Sequence, residues 1–149
     1  MSQLIQIVKS IDITSRNSGC LLGVMKLRFP LNNHMMTLTD IATYFSTGQF
    51  SRIQQHFSQT ITWEIVGEQQ LSGFDQVLKH CQSIEHYFST VAHEFHIQAI
   101  HQAGHHVIVQ GEAQFHDTQQ TSRISACDVY TFNTLNQLAQ IKSYCISTQ

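Results

Sequence analysis

The stretch that decides the fold runs from Thr121 to Ile146 and reads TSRISACDVYTFNTLNQLAQIKSYCI. It alternates as a strand does, breaks at a polar turn and alternates again, so it predicts a β-hairpin. One row of its first strand holds Ile124, Ala126, Asp128, Tyr130 and Phe132. A carboxylate in an apolar row is costly unless it is paired, hydrogen-bonded or protonated. Asp128 is therefore our candidate catalytic residue, as a general acid or base or as a neutral hydrogen-bond donor. The alternative is a structural carboxylate bonded to a tyrosine or a backbone amide.

The composition indicates one domain with few charges. The chain has 149 residues, only 12% of them charged, and a formal net charge of −2. Without a cluster of Lys and Arg, a nucleic-acid partner or an anionic membrane surface is not expected. No apolar run approaches the ~20 residues of a membrane-spanning helix, and no signal-peptide pattern is present. Four scattered cysteines without metal-binding spacing predict reduced thiols and a cytoplasmic protein.

Two helices and a third short one are predicted before the hairpin. Thr37 to Asp40 reads as a capping box, and Gly48 is placed to end the helix that follows. The spacing of Phe50, Ile53 and Phe57 predicts a second, short helix. A 3.6-residue apolar period predicts the longest helix over residues 73–91.

Three further strands complete the predicted elements. Residues 61–66 are β-branched and aromatic, with Trp63 on the face of Ile61 and Ile65. Residues 95–101 and 106–115 follow the long helix, and Phe115 falls on the inward row of the second of these strands. Helices followed by a run of strands predict an α+β fold, with helices on one face of a curved antiparallel sheet.

Residues 1–34 do not follow this organisation. They contain hints of alternation and an apolar patch, but no cap or turn connects these pieces. We expect an N-terminal extension, either an extra strand or a loosely attached arm that packs on the domain. A second hypothesis is that Met35 or Met36 is the natural start.

Several short strings, in this order and at this spacing, resemble the NTF2-like superfamily and specifically its SnoaL-like and ketosteroid-isomerase-like branch. They are YF at 44–45, GQF at 48–50, TW at 62–63, LSG at 71–73, CDVYTF at 127–132 and IKSY at 141–144. The resemblance covers about residues 37–147 and makes residues 35–149 the domain. It implies a cone-shaped α+β barrel in which a curved antiparallel sheet wraps around the N-terminal helices. It further implies an apolar pocket at the open end and a homodimer formed through the outer sheet face.

The sequence has a matching residue at one catalytic position of the family but lacks the residues that act together with it. Ketosteroid isomerases carry, in a strand of the pattern I-D-x-x-R-F, an aspartic acid that stays protonated and donates to an oxyanion. The string CDVYTF places Asp128 at that position. Ile65 stands at the position of the family's general base, and the neighbouring Glu64 faces the other way. Ile41 stands at the position of the family's oxyanion tyrosine, one turn before Tyr44.

The epoxide hydrolase branch of the family is also poorly matched. That branch has an Arg and an Asp at the positions of Gly111 and Ala113, and an Asp at the position of Ser143. None of the three is present here, so fold alone cannot supply the function.

The candidate substrate-binding residues are predicted to face the pocket or its rim: Tyr44, Trp63, His80, Tyr87, Phe115, Tyr130 and Ser143. Trp63 would form a wall for an apolar ligand or simply pack in the core. Tyr130 would orient a ligand oxygen or serve as a buried tyrosine whose hydroxyl is satisfied locally. His80 would reach the rim from the long helix or face solvent.

No cofactor or metal is expected. The pairs His93/His96 and His105/His106 diverge on a strand, and a zinc site needs three or four convergent ligands. The Gly-rich nucleotide motifs are absent from the sequence. We therefore predict a protein that binds a small apolar or carbonyl-bearing ligand and performs cofactor-free acid–base chemistry of the isomerase, dehydratase or cyclase type. The alternative is a non-enzymatic ligand-binding or dimerisation module.

Overall fold

The computed structural model describes residues 35–116 and 121–148. Two helices, α1 and α2, and six strands, β1 to β6, form one α+β unit, as predicted. Their bounds are Leu38–Ser46 for α1, Phe57–Ile65 for β1, Gln69–Ser72 for β2, Phe74–Thr90 for α2, Ala92–Ala103 for β3, His106–His116 for β4, Thr121–Phe132 for β5 and Leu138–Thr148 for β6. The predicted N-terminal extension and alternative start lie outside the described residues. No helix in the described part of the chain is long and apolar enough to cross a membrane.

Helix α1 begins with the predicted capping box. Asp40 N–H donates to Thr37 Oγ1 at 3.1 Å, and Thr37 N–H donates to Asp40 Oδ2 at 2.8 Å. These bonds satisfy two backbone N–H groups that the first helical turn leaves without partners. At the other end the chain leaves the helix through Gly48, whose φ of 74° is in the left-handed region.

The predicted short helix over Phe50, Ile53 and Phe57 is wrong. The structure has two 3₁₀ turns instead, Phe50–Arg52 and Gln54–His56, and Phe57 is already the first residue of β1. The segment after Gly48 is too short for a stable α-helix, so its apolar side chains are buried by tight turns.

The sheet has the strand order β2-β1-β6-β5-β4-β3. Neighbouring strands are antiparallel except β1 and β6, which pair in parallel, so the sheet is mixed rather than wholly antiparallel. The parallel pair is possible because α2 and four strands separate β1 from β6 along the chain. Strand β2 was not predicted, because its residues, QQLS, are mostly polar and are held by pairing with β1.

Gly111 allows a close approach of β3 to β4. Strand β3 has a register shift between Ile97 and Ala99, opposite Gly111. A Cβ at position 111 would lie 2.6 Å from the carbonyl oxygen of His96, which is backbone and cannot rotate away. An irregularity of this kind bends a strand and raises its twist. Gly111 is therefore required by the curvature of the sheet.

The helices cover the inner face of the curved sheet. Helix α2 packs on β1 and α1 packs on β4 and β5. The β5 row predicted to face inward does so, with Ile124, Tyr130 and Phe132 buried. Fully buried side chains of the core include Tyr130, Ile41, Ile53, Ile61, Leu138, Ile141, Val77, Val107 and Cys81. The space that this core leaves between helices and sheet is the candidate site.

Candidate functional site

A cavity of about 180 Å³ lies between the inner face of the sheet and the two helices. Most of its wall is apolar or aromatic, which is typical of small-molecule sites. The lining residues are Phe45, Ser46, Gly48, Phe50, Trp63, Ile65, Glu68, Gln69, His80, Ile84, Phe88, Phe95, Phe115, Ile124, Ala126, Asp128, Ser143 and Cys145. The polar groups form two sets, one around Asp128 and one around His80.

The first polar set joins the end of α1 to the middle of β5. Ser46 Oγ donates to Asp128 Oδ2 at 2.8 Å, and the Tyr130 hydroxyl donates to the same oxygen at 3.1 Å. The Ser46 and Tyr130 hydroxyl oxygens are themselves 2.5 Å apart. Ser143, which is paired with Asp128 across β5 and β6, adds a further hydrogen bond to the carboxyl. Asp128 is thus held in one position by groups from three elements.

Burial raises the pKa of Asp128 above its usual range, although hydrogen bonds from Ser143, Ser46 and Tyr130 oppose the shift. The carboxyl keeps partial accessibility through the cavity, but protein surrounds it. Burial, and then the adjacent Asp128 carboxylate, raises the pKa of Tyr130 well above its usual value. The same two causes, with Glu68, raise the pKa of the Cys145 thiol to about 12. Cys145 is therefore not a nucleophile at neutral pH.

The second polar set lies where α2 faces β1 and β2. His80 Nε2 is 3.2 Å from the amide nitrogen of Gln69, and the His80 ring packs edge-on against Trp63 with centroids 5.1 Å apart. Burial lowers the pKa of His80, so its neutral form is favoured. Trp63 links the two sets, because its Nε1–H donates to Ser143 Oγ at 3.0 Å.

The structure brings most of the predicted site residues to this cavity. Asp128, Trp63, His80, Phe115 and Ser143 lie on its wall. Tyr130 is fully buried behind the wall and reaches the site through its hydroxyl. Whether any of them contacts a ligand stays a prediction.

Tyr44 and Tyr87 were also predicted to face the pocket or its rim, but neither lies on the cavity wall. Tyr44 is not among the lining residues and stacks under Arg52, whose guanidinium carbon is 4.3 Å from the ring centroid. Tyr87 packs beside Phe115, with ring centroids 6.2 Å apart, and leaves the wall to Phe88. In both helices the next residue along the chain faces the cavity, since each residue turns the helix by about 100°.

Ser46 and Gln69 are the polar wall residues that sequence reasoning missed. Ser46 ends α1 and reaches Asp128 across 82 residues of chain. Gln69 begins β2, the strand that was not predicted. A serine at a helix end and a glutamine in a polar run give no local signal of a site.

Apart from Asp128, the positions that the resemblance assigns to catalytic groups hold apolar or small residues here. Ile65 lines the cavity where the resemblance implies a base, and Ile41 is buried in the core. Glu64 faces away from the cavity and forms a 3.0 Å ion pair with Lys142. At Gly111 the His96 carbonyl occupies the space of a side chain. Among residues 35–116 and 121–148, no group of three metal-ligating side chains is found.

The model of the SnoaL-like domain family matches residues 38–139. The chain belongs to this SnoaL-like family. The match includes both helices, five of the six strands and the beginning of β6. No curated protein matches the sequence.

Solved structures share the fold of this SnoaL-like domain. An NTF2-like protein of unknown function from Cytophaga hutchinsonii is 26% identical, with a TM-score of 0.69 over 75% of this chain and 99% of that one. An LEH-like epoxide hydrolase from M. tuberculosis is 12% identical, with a TM-score of 0.57 over 74% and 81%. A protein from Jannaschia sp. CCS1 assigned as a SnoaL-like polyketide cyclase is 11% identical, with a TM-score of 0.58 over 72% and 84%. Because the last two are only 12% and 11% identical, they show that the fold is shared and nothing more.

Proposed function

We propose that this SnoaL-like domain binds a small carbonyl-bearing ligand and performs cofactor-free acid–base chemistry on it, with Asp128 as the hydrogen-bond donor or acid. The observation that carries the proposal is the position of Asp128. It is a carboxyl held by Ser46 and Tyr130 on the wall of an aromatic cavity, where burial raises its pKa. A carboxylic acid kept neutral in this way can donate to a carbonyl oxygen and stabilise negative charge as it develops there.

The size of the cavity limits the ligand. Its volume is about 180 Å³, and an engineered apolar cavity of roughly 150 Å³ holds one benzene molecule. The ligand is therefore a single ring or a short chain with one or two substituents. The surrounding aromatic rings of Phe45, Phe88 and Phe115 favour an apolar body.

The hydrogen bonds indicate which oxygen of Asp128 acts. Oδ2 accepts from both Ser46 and Tyr130. With both hydroxyls donating to Oδ2, we place the proton of the neutral acid on Oδ1, from which it can be donated to a ligand.

We expect binding of a carbonyl ligand to weaken as pH rises through the raised pKa of Asp128, because ionisation removes the donated proton. The probe is cyclohex-2-en-1-one, followed by the fluorescence of Trp63, the single tryptophan of the chain. Loss of one neutral hydrogen bond of about 0.5–1.5 kcal/mol corresponds to an increase in Kd of about two- to tenfold. Asp128→Asn keeps an N–H donor and should bind with no such pH dependence.

Two controls separate this effect from a change in folding. Methylcyclohexene has a similar size but no carbonyl, and its binding should not respond to Asp128. In the free protein, a raised folded-state pKa means that Asp128 stabilises the fold at acidic pH and loses this contribution as pH rises through that pKa. The free energy of unfolding should therefore fall relative to Asp128→Asn over that interval. Enone binding by wild type that is independent of pH would refute the role of Asp128.

The alternative is a binding module without chemistry. It is supported by Ile65 and Ile41, which replace the base and the tyrosine of the isomerase pattern with apolar groups. The binding experiment alone does not distinguish the two functions, because both need the cavity. A turnover assay does distinguish them, because a binding module releases its ligand unchanged.

We also propose that the protein is a cytoplasmic homodimer formed through the outer sheet face. Free thiols at Cys81, Cys127 and Cys145 support a reducing compartment. The outer face exposes Tyr144 and Ile146, with 44% and 65% of their surfaces accessible. Apolar groups grouped on one face are typical of a contact surface.

Substitution of Ile146 by Lys should convert the dimer to a monomer, because it places a charge within the proposed contact. Sedimentation velocity of the wild type and the variant measures this directly. Ile100→Lys is the matched control, because Ile100 is also exposed but pairs with Val109 and so shares the inner face. A wild-type protein that sediments as a monomer contradicts the proposed dimer.

A further inference from the structure

We propose that His80 is the proton acceptor of the cavity, placed on α2 across from Asp128 on β5. This inference rests on the proposed function, since it supplies the base that an acid at position 128 would work with. The cavity otherwise lacks a base at the expected strand position, because Ile65 stands where the resemblance implies one.

The two groups lie on different walls of one cavity. His80 projects from α2, and Asp128 projects from the sheet. Trp63 connects them: its ring is 5.1 Å from the His80 ring, and its Nε1–H bonds to Ser143, the cross-strand partner of Asp128. A small ligand lying along the Trp63 side chain would have one end near each group.

The hydrogen bond to Gln69 places a lone pair at Nε2 of His80. The nearest Gln69 atom is its amide nitrogen, at 3.2 Å, and an amide nitrogen donates. Nε2 is therefore the acceptor, and the proton of the neutral ring is on Nδ1. Gln69 is exposed, so a ligand entering the cavity can replace its amide at the same lone pair.

Burial favours the neutral form of His80, because it lowers the pKa of the ring. The other titratable groups on the cavity wall are Glu68, from the turn before β2, Asp128 and Cys145. Since burial lowers the pKa of His80 and raises that of Asp128, the environments of the two groups favour a neutral base and a neutral acid.

The chemistry that follows is a proton transfer between carbon atoms of one ligand. His80 Nε2 takes a proton from the carbon next to a carbonyl, and the C–H electron pair forms a carbon–carbon double bond. The carbonyl electrons move to the oxygen, which accepts a hydrogen bond from Asp128. Return of the same proton from His80 to another carbon restores the carbonyl, so no oxidant, metal or co-reactant is needed.

The probe is cyclohex-3-en-1-one, whose isomerisation to cyclohex-2-en-1-one is followed by the absorbance of the conjugated product. The variants are His80→Gln and, as a matched control, His86→Gln, which changes an exposed histidine of the same helix. Loss of a general base should lower kcat by about 100-fold or more. His86→Gln should stay within about twofold of wild type.

The pH profile of kcat/KM distinguishes a catalytic His80 from a structural one, because loss of a structural residue would not change the shape of the profile. Wild-type kcat/KM should be bell-shaped in pH, because the reaction needs His80 neutral and Asp128 protonated. Since His80→Gln has no titrating base, its residual activity should depend on the ionisation of Asp128 alone and lose the bell shape. Cyclohex-2-en-1-one binding, measured by Trp63 fluorescence, should be unchanged in the control variant His86→Gln.

Each remaining result refutes a different statement. Wild-type turnover that survives His80→Gln but is lost in Glu68→Gln assigns the base to Glu68 and overturns the role of His80. A wild type that binds the enone but does not isomerise the substrate overturns the inference and leaves a binding protein. A wild type that does not bind either compound overturns the proposed function itself.

Discussion

Replacement of Trp63 by alanine should lower the free energy of unfolding by about 3–5 kcal/mol. Only 5% of the Trp63 surface is accessible, and its ring meets Phe45 edge-on with centroids 4.9 Å apart. The substitution removes a large aromatic group next to an existing cavity. Few side chains are close enough to move into the space, so the enlarged cavity stays open. It also removes the donor to Ser143 Oγ.

Urea denaturation followed by far-UV circular dichroism measures this loss, and Trp63→Phe is the control. Phenylalanine keeps a ring against Phe45 but has no N–H, so it should cost less than half of the alanine value. A Trp63→Ala protein within about 1 kcal/mol of wild type would show that Trp63 is not part of the hydrophobic core. The alanine variant should also accept larger ligands than wild type, since it widens the cavity.

Alternation along strands allowed much of the cavity wall, our candidate site, to be predicted. Trp63, Phe115, Asp128 and Ser143 come from four strands, and each faces the cavity as its period-two position indicates. A strand residue has only two orientations, and burial of one face selects between them. That is why the orientation of the β5 row could be predicted without knowledge of its partners.

Helices gave a weaker basis for prediction. Tyr44 and Tyr87 were chosen, whereas the cavity is lined by Phe45 and Phe88. An error of one residue rotates a side chain by about 100°, and all four residues are aromatic, so hydrophobicity does not distinguish them. The choice depends on how each helix docks on the sheet.

Contacts between distant segments were not predictable at all. The bond from Ser46 to Asp128 joins residues 82 apart, and the Gln69–His80 pair requires a strand whose sequence carries no strand signal. Such contacts are consequences of packing, since no local propensity encodes them. Asp128, Tyr130 and Ser143 of the candidate site were thus visible in the sequence, but the contact from Ser46 that helps to hold Asp128 was not.

Gly48→Ala should destabilise the protein by about 2–5 kcal/mol, for two reasons that act together. A φ of 74° costs a residue with a side chain about 1–2 kcal/mol. In addition, a Cβ at position 48 would lie 2.6 Å from Phe88 Cδ2 and closer still to Cε2. Such overpacking costs about 1–3 kcal/mol.

Phe88 cannot easily move to relieve the contact. Its ring centroid is 5.4 Å from that of Phe95 and 5.6 Å from that of Phe115, both on the sheet. A displaced Phe88 would also move into the cavity, whose wall it forms together with Gly48. Gly48→Ala should therefore weaken binding of cyclohex-2-en-1-one as well as stability.

Gly67→Ala is the matched control, because Gly67 has a φ of 81° and a Cβ added there would meet no atom within 4 Å. It should show the backbone cost alone, and the difference between the two variants measures the contact with Phe88. In a double-mutant cycle, Phe88→Leu should recover part of the loss caused by Gly48→Ala, since it removes ring atoms from the point of contact. Equal destabilisation by Gly48→Ala and Gly67→Ala would show that the end of α1 does not press on α2. The placement of Ser46, two residues earlier, would then not depend on that packing.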